Sequence, residues 1–347
     1  MTDMKEKLHF ACDYARGAHP DILQRMLETN GMKTAGYGLD EISESARKRI
    51  REACGCEAAA VEFLVGGTQT NAVMIDALLK SYQGVIAAET GHISVHEAGA
   101  IEFGGHKVLV LPHRFGKISA NSVENYLKEY YNDANREHMV MPGMLYLSHP
   151  TEYGTLYSKE ELQAFRSVCD RYEICLYVDG ARLAYALACT ENDVTLKDLA
   201  QLCDAFYIGG TKCGALFGEA AVVPDPGKIP HLFTIIKQHG ALLAKGRLLG
   251  IQFDELFRNE RYMRIGEPAI RAAERIRCAL RERGYRLHFA SPTNQIFCVM
   301  ENDALDQLGE KVEYGFWEKF DDDHTVTRFA TDWATTEDET KALIDVL

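Results

Sequence analysis

The chain has 347 residues, with 38 Lys or Arg against 51 Asp or Glu, for a formal charge of −13 at neutral pH. That balance, without a basic cluster to neutralise phosphates, argues against a nucleic-acid partner, and 46% hydrophobic with 26% charged residues excludes a disordered or fibrous chain. The opening MTDMKEKLHF has no apolar core with a cleavage site, and no stretch approaches about 18 apolar residues, so neither export nor membrane insertion is expected.

Ten cysteines without C-x-x-C spacing are expected to be reduced thiols of a cytoplasmic protein, with no metal site among them. Ile42 to Ala53 predicts an amphipathic helix, with Ile42, Ala46, Ile50 and Ala53 on one stripe and Cys54-Gly55 ending it. From there strands and helices alternate. Ala59 to Leu64 reads as a strand, Thr68 to Lys80 as a helix, and Val85 to Ala88 and Val108 to Leu111 as short strands. A helix from Ala120 to about Tyr131 precedes the strand Met144 to Leu147.

Ser158-Lys159-Glu160-Glu161 is a capping box that opens a helix through Tyr172. The strand Ile174 to Val178, another helix and the strand Ala205 to Ile208 follow. Strands separated by helical crossovers predict a mainly parallel sheet covered on both faces, with ligands beyond the carboxyl ends of its strands. After about residue 226 the pattern changes to long helices, His231 to Phe257 and Ile265 to Arg283, with short strands at Gln295 to Met300 and Val326 to Phe329. The expected division is an N-terminal segment 1–15, a large α/β domain 16–245 and a smaller α+β domain 246–347.

Lys212 stands in Gly209-Gly210-Thr211-Lys212-Cys213-Gly214, after an apolar strand and between glycines that leave room for a planar ligand. Its amine can form an imine with an aldehyde once burial or neighbouring cations lower its pKa. Alone, such a lysine is more often a surface residue; its company reverses that reading. Asp179, in Val178-Asp179-Gly180-Ala181-Arg182-Leu183, sits at another strand end and can pair with a protonated pyridine nitrogen. Arg182 offers a planar fork for a carboxylate or phosphate.

Gly66-Gly67-Thr68-Gln69-Thr70-Asn71, between a strand and a helix, presents exposed amides and a hydroxyl suited to a phosphate. In Gly91-His92-Ile93-Ser94-Val95-His96-Glu97-Ala98-Gly99, His92 can stack on a pyridine ring or move protons, whereas His96, His106 and His113 are taken as structural.

In this order the motifs resemble the L-threonine aldolase family of fold-type-I pyridoxal-phosphate (PLP) enzymes. The likeness runs from the Asp13 segment through Gly36-Tyr37-Gly38-Leu39-Asp40, the Gly-Gly-Thr-x-x-Asn turn, His-x-x-x-x-Glu-Ala-Gly and Asp-Gly-Ala-Arg-Leu to the Thr-Lys. The resemblance implies PLP held as a Schiff base on Lys212, with Asp179 on its ring nitrogen, Gly67 and Thr68 on its phosphate, and His92 stacked on its ring. It further implies Arg182 and Arg328 on the substrate carboxylate, Tyr37 lining the pocket, and Arg247 reaching a cofactor phosphate across a subunit interface. A homodimer or homotetramer with sites between subunits is expected on the same ground.

Two positions depart from the family. Thr151 stands where a histidine is usual, so His149 is a substitute candidate from two residues away, and Cys12 stands where many relatives carry a serine on the substrate carboxylate. The resemblance implies cleavage of L-β-hydroxy-α-amino acids, of the L-threonine, L-allo-threonine or L-phenylserine type, to glycine and an aldehyde. Another PLP lyase or an aminotransferase is the alternative on the same fold. An idle binding protein of that fold has no need of Lys212.

Overall fold

Runs such as Val85-Ile86-Ala87-Ala88 and Met144-Leu145-Tyr146-Leu147 are buried throughout, as strands covered on both faces must be. The computed structural model describes residues 7–347, so the first six positions of the expected N-terminal segment lie outside the described residues. A seven-stranded sheet carries β2 (Ala60–Leu64), β3 (Gln83–Ala88), β4 (Val108–Leu111), β5 (Met141–Ser148), β6 (Cys175–Asp179), β7 (Ala205–Gly209) and β8 (Glu219–Val223), ordered β2-β8-β7-β6-β5-β3-β4. From β7 to β4 every pairing is parallel. β8 is the exception. It runs antiparallel between β2 and β7 and was not expected from the sequence.

The period of two along the strands sorts their side chains onto two cores. Leu145, Leu147, Leu176, Val178, Phe206 and Ile208 meet the helices α2 (Glu41–Cys54), α6 (Ala120–Asn132), α7 (Lys159–Tyr172) and α9 (Leu196–Leu202). Met144, Tyr146, Tyr177 and Tyr207 face the other way, toward α3 (Gly67–Leu78) and α10 (Leu232–Gln238). The unit also carries α1 (Pro20–Thr29) and the short α4 (His92–Val95), α5 (Ala100–Phe103) and α8 (Leu183–Leu187). The capping box that opens α7 is formed, Ser158 accepting from the Glu161 amide and Glu161 from the Ser158 amide.

The long helix expected from His231 to Phe257 is two helices, α10 and α11 (Arg247–Leu256), with Gly240 in the left-handed region between them. α11 lies past residue 245, yet Leu249, Phe253 and Leu256 enter the core of the large sheet, and Gly250 leaves no room for a Cβ against Ser43 of α2. After α12 (Arg261–Arg264), α13 (Glu267–Glu282) touches both units: Ala269 packs with the large core, and Ala273, Ile276 and Leu280 with the smaller one. We propose that the division between units runs at α13.

The smaller unit holds an antiparallel sheet, ordered β12 (Gly315–Lys319), β13 (His324–Ala330), β10 (Gln295–Glu301), β9 (Arg286–Leu287), with α14 (Asn302–Gly309) and α15 (Glu337–Val346). β1 (Leu8–His9) pairs with β11 (Val312–Glu313), so the N-terminal segment crosses to the smaller unit. That crossing carries Asp13 and Tyr14 past the carboxyl ends of the large sheet.

Candidate active site

Asp179 ends β6, Gly209 ends β7 three residues before Lys212, and Glu219 opens β8 opposite Gly209. Close backbone approach makes this convergence: a Cβ on Gly209 would lie 2.6 Å from the carbonyl carbon of Ala181 and 2.7 Å from the Gly180 oxygen. Two adjoining cavities, of about 280 and 510 Å³, open there and share Tyr14, His92, Glu152, Arg182 and Lys212. The smaller is floored by Gly66, Gly67, Thr68, Asp179, Thr211 and Glu219. The larger is walled by His96, Tyr153, Trp317, Glu318 and Arg328.

The Lys212 amine is held below the ordinary lysine range, first by burial and then by the Arg182 charge, against the opposing pull of Asp13, Asp179 and Glu219. A neutral amine is the nucleophilic form. Burial alone would raise the Asp179 carboxyl, but the His92 charge and hydrogen bonds from Tyr146, Tyr207 and Asn71 outweigh it and keep the group below its usual value. A buried, ionised carboxylate is thus maintained at the cavity floor.

That carboxylate belongs to a connected network of polar contacts. Asn71 Nδ2 donates to Asp179 Oδ2 (3.0 Å) and to Glu97 Oε1 (2.7 Å), and Glu97 Oε1 is 2.7 Å from His92 Nδ1. The His92 amide donates to Glu152 Oε1 (2.9 Å), which also accepts from Ser148 Oγ (2.5 Å). Ser148 Oγ lies 3.2 Å from the Tyr146 hydroxyl, and Tyr146 donates to Asp179 Oδ2 (2.6 Å). One network therefore fixes both the ring orientation of His92 and the position of Asp179.

At the N-terminus of α3 no side chain caps the helix, so its first amides and the Thr68 hydroxyl offer the donors that an anion requires. Arg182 grips Asp13 with both Nε (2.6 Å) and Nη2 (2.9 Å), and Asn294 supports Asp13 from the smaller unit (2.9 Å). Burial opposes ionisation of Asp13, but Arg182, with Lys212 and Asn294, brings its carboxyl down to about 2. The sequence assigned Asp13 no task; it occupies one edge of the Arg182 fork. Nη1 of Arg182 bonds no described residue. Arg328 donates to the Ala11 carbonyl (2.7 Å) and to Gln295 (3.2 Å), while its buried Nε has no partner among the described residues. Burial and then the Arg182 charge disfavour its cation. Two arginines that repel each other across a cavity are relieved by a bound carboxylate.

Other expected site residues lie elsewhere. His149 does not line either cavity: it is fully buried, its Nε2 3.2 Å from Asn192 Oδ1 and its Nδ1 accepting from the Tyr157 amide (3.4 Å). Burial brings its pKa down to about 4, so it is a core histidine rather than the substitute for the family imidazole. Thr151 is likewise turned inward, onto Thr155 (2.7 Å). Cys12 adjoins Ala11, the acceptor of Arg328, while Tyr14 is the side chain of this segment that lines the cavities.

Tyr37 and Arg247 lie together on another surface. Tyr37 donates its amide to Ala244, its ring sits 4.6 Å from the Lys237 ammonium, and Arg247 bonds the carbonyls of Met32 (2.6 Å) and Asn30 (3.3 Å). Conversely, the structure brings in Glu152, Glu219, Tyr146, His96 and Trp317. For Glu219 the available signal was a charged residue opening the apolar run Glu219-Ala220-Ala221-Val222-Val223. For His96 it was the four-residue helical spacing from His92.

Residues 10–292 match the family model for beta-eliminating lyases. A low specificity L-threonine aldolase of a Pseudomonas species is 30% identical over 90% of this chain and 89% of its own. The solved threonine aldolase of Leishmania major superposes with a TM-score of 0.94 at 40% identity, covering 97% of this chain and 98% of that one. The chain belongs to the L-threonine aldolase branch of the beta-eliminating lyases. The family's fold is wider than its reaction: aspartate aminotransferase of Thermus thermophilus reaches a TM-score of 0.70 at 16% identity over 98% of this chain, a likeness of fold alone.

Pyridoxal phosphate is the cofactor of this family, and the residues present fit it. An amine held below the ordinary lysine range suits its aldehyde, an ionised buried carboxylate its ring nitrogen, and the uncapped start of α3 with Gly67 and Thr68 its phosphate. Among the described residues no helix is long and apolar enough to cross a membrane.

Proposed function

We propose that this chain is a PLP-dependent aldehyde-lyase that cleaves the Cα–Cβ bond of L-β-hydroxy-α-amino acids, giving glycine and an aldehyde. The observation that carries this reading is the convergence of Lys212, whose amine burial and Arg182 hold below the ordinary lysine range, with the buried, ionised Asp179 where two cavities adjoin, the outer one walled by Arg182 and Arg328. Bound there, the cofactor supplies an electron sink for the pair released from Cα.

The protein's own residues do the rest. Arg182 and Arg328 would hold the substrate carboxylate and so set which bond at Cα is oriented for cleavage. Asp179, ionised and buried, would hold a proton on the pyridine nitrogen of the cofactor. His92, tied through Nδ1 to Glu97, presents a ring of fixed orientation, and Lys212 is placed to exchange a proton at Cα. Tyr153 and Trp317 add apolar ring surface to the wall of the larger cavity.

The same proposal includes a homo-oligomer whose sites lie between subunits. It is supported by Tyr37 and Arg247 sharing a surface away from Lys212, beside the exposed Leu27, Met32 and Leu39. A cytoplasmic setting accords with ten cysteines that form no disulfide. The test is to incubate the PLP-loaded protein separately with L-threonine, L-allo-threonine and L-phenylserine and to quantify glycine and aldehyde. Equimolar products from at least one substrate are expected; transfer of the amino group to an added keto acid, with no glycine formed, would replace the reading with aminotransfer.

A further inference from the structure

Cleavage requires a base for the β-hydroxyl proton, and the usual family histidine is Thr151, which is buried on Thr155. The other histidines of these motifs are placed for other work. His149 lies in the core with both ring nitrogens engaged. His92 is tied through Nδ1 to Glu97, which leaves Nε2 free among the described residues, but its ring is the one expected to stack on the cofactor; Glu152 Oε1 accepts from both Ser148 and the His92 amide. His96 is different. It follows α4 by one residue, so helical spacing sets it beside His92, with ring centroids 5.6 Å apart, and it lines the larger cavity with Lys212, Arg182 and Arg328. No described residue hydrogen-bonds to its imidazole.

We infer that His96 is the catalytic base of this enzyme, accepting the β-hydroxyl proton of the substrate. The inference rests on the aldolase reading above and names the group that reading leaves open. In the step, the β O–H bond breaks and its proton passes to a ring nitrogen of His96. The O–H electron pair becomes the second C–O bond of the aldehyde, the Cα–Cβ bond breaks, and its pair stays with Cα. Cα then takes up a proton to give glycine, while His96 returns its own to water; no oxidant or reductant is needed.

The surroundings suit a base. His96 is exposed at the cavity rim, and partial desolvation there, then the charges of His92, Arg328, Lys212 and Arg182, shift it toward the neutral imidazole. Glu152 and Glu318, with Tyr14 and Tyr153, are the other ionisable groups lining this cavity.

The experiment compares the PLP-loaded wild type with His96→Phe and His96→Ala. Glycine release from L-threonine is measured alongside two readouts that need no β-hydroxyl base: glycine affinity from the cofactor absorbance band, and exchange of the glycine α-hydrogen in D2O. Cleavage is expected to fall by about 10²–10⁴-fold in both variants, with added imidazole restoring part of it in His96→Ala. Glycine affinity and exchange are expected to stay within about threefold of wild type. Cleavage at the wild-type rate in His96→Phe would overturn the inference, as would a parallel fall of affinity, exchange and cleavage. A wild type that makes no glycine from any substrate would instead overturn the aldolase reading.

Discussion

Asp179 illustrates how much a single carboxylate asks of its neighbours. Burial at that depth pushes its pKa up; Tyr146, Tyr207, Asn71 and the His92 charge more than offset it and keep the group ionised. Asp179→Asn removes the charge but keeps the shape, so turnover is expected to fall by roughly 10²–10³-fold with little change in the amino-acid KM, read from steady-state kinetics. An unchanged kcat would remove Asp179 from this role. Lys212, Asp179 and His92 were legible in the sequence because each sits in a contiguous motif bordered by strand or helix signals. Asn71 and Glu97 appeared in those motifs without a task, since their work lies in contacts made 26 and 108 residues away along the chain. His149 in the core and His96 at the cavity wall share one lesson: the sequence says that a histidine is near a motif but not which face its ring takes.

At the scale of elements, the parallel strands and their crossover helices were readable from alternating apolar runs and the capping box at Ser158. β8 was not, because Glu219 to Val223 follows Lys212 through a short glycine-rich loop with no helix before it, so no crossover announced it. The helix expected across residues 239–246 failed where Gly240 takes the left-handed region. The strand ends that form the site depend on glycine for closeness rather than for conformational freedom. Gly209→Ala would push a methyl into the backbone of Gly180 and Ala181, neither of which can yield. Destabilisation of about 1–3 kcal/mol is expected from urea unfolding, together with weaker PLP affinity, because Lys212 is carried on the displaced end of β7. Gly31→Ala, with nothing within 4 Å of its added carbon, serves as the control. Equal effects from the two substitutions would contradict this account.

For the whole molecule, acid stability is tied to a histidine outside the site. The folded His149 ring takes up a proton only near pH 4, against 6.5 for a free ring, so the unfolded chain binds more protons between those values. Its contribution is complete above pH 6.5 and is lost as the pH falls toward 4, an effect of about 3 kcal/mol. Urea midpoints across that window should fall less steeply for His149→Gln than for the wild type; identical slopes would remove His149 as the cause.

The large and small units are joined around the cavity, since Asp13, carried by the N-terminal segment, binds Arg182 of one and Asn294 of the other. The account as a whole turns on Lys212. The direct measurement is to reduce the PLP-loaded, active protein with borohydride, digest it, and locate the bound cofactor by peptide mass. The account predicts cofactor on the peptide containing Lys212, with activity lost in step with labelling. Cofactor on any other lysine, or full activity after complete labelling of Lys212, would contradict it.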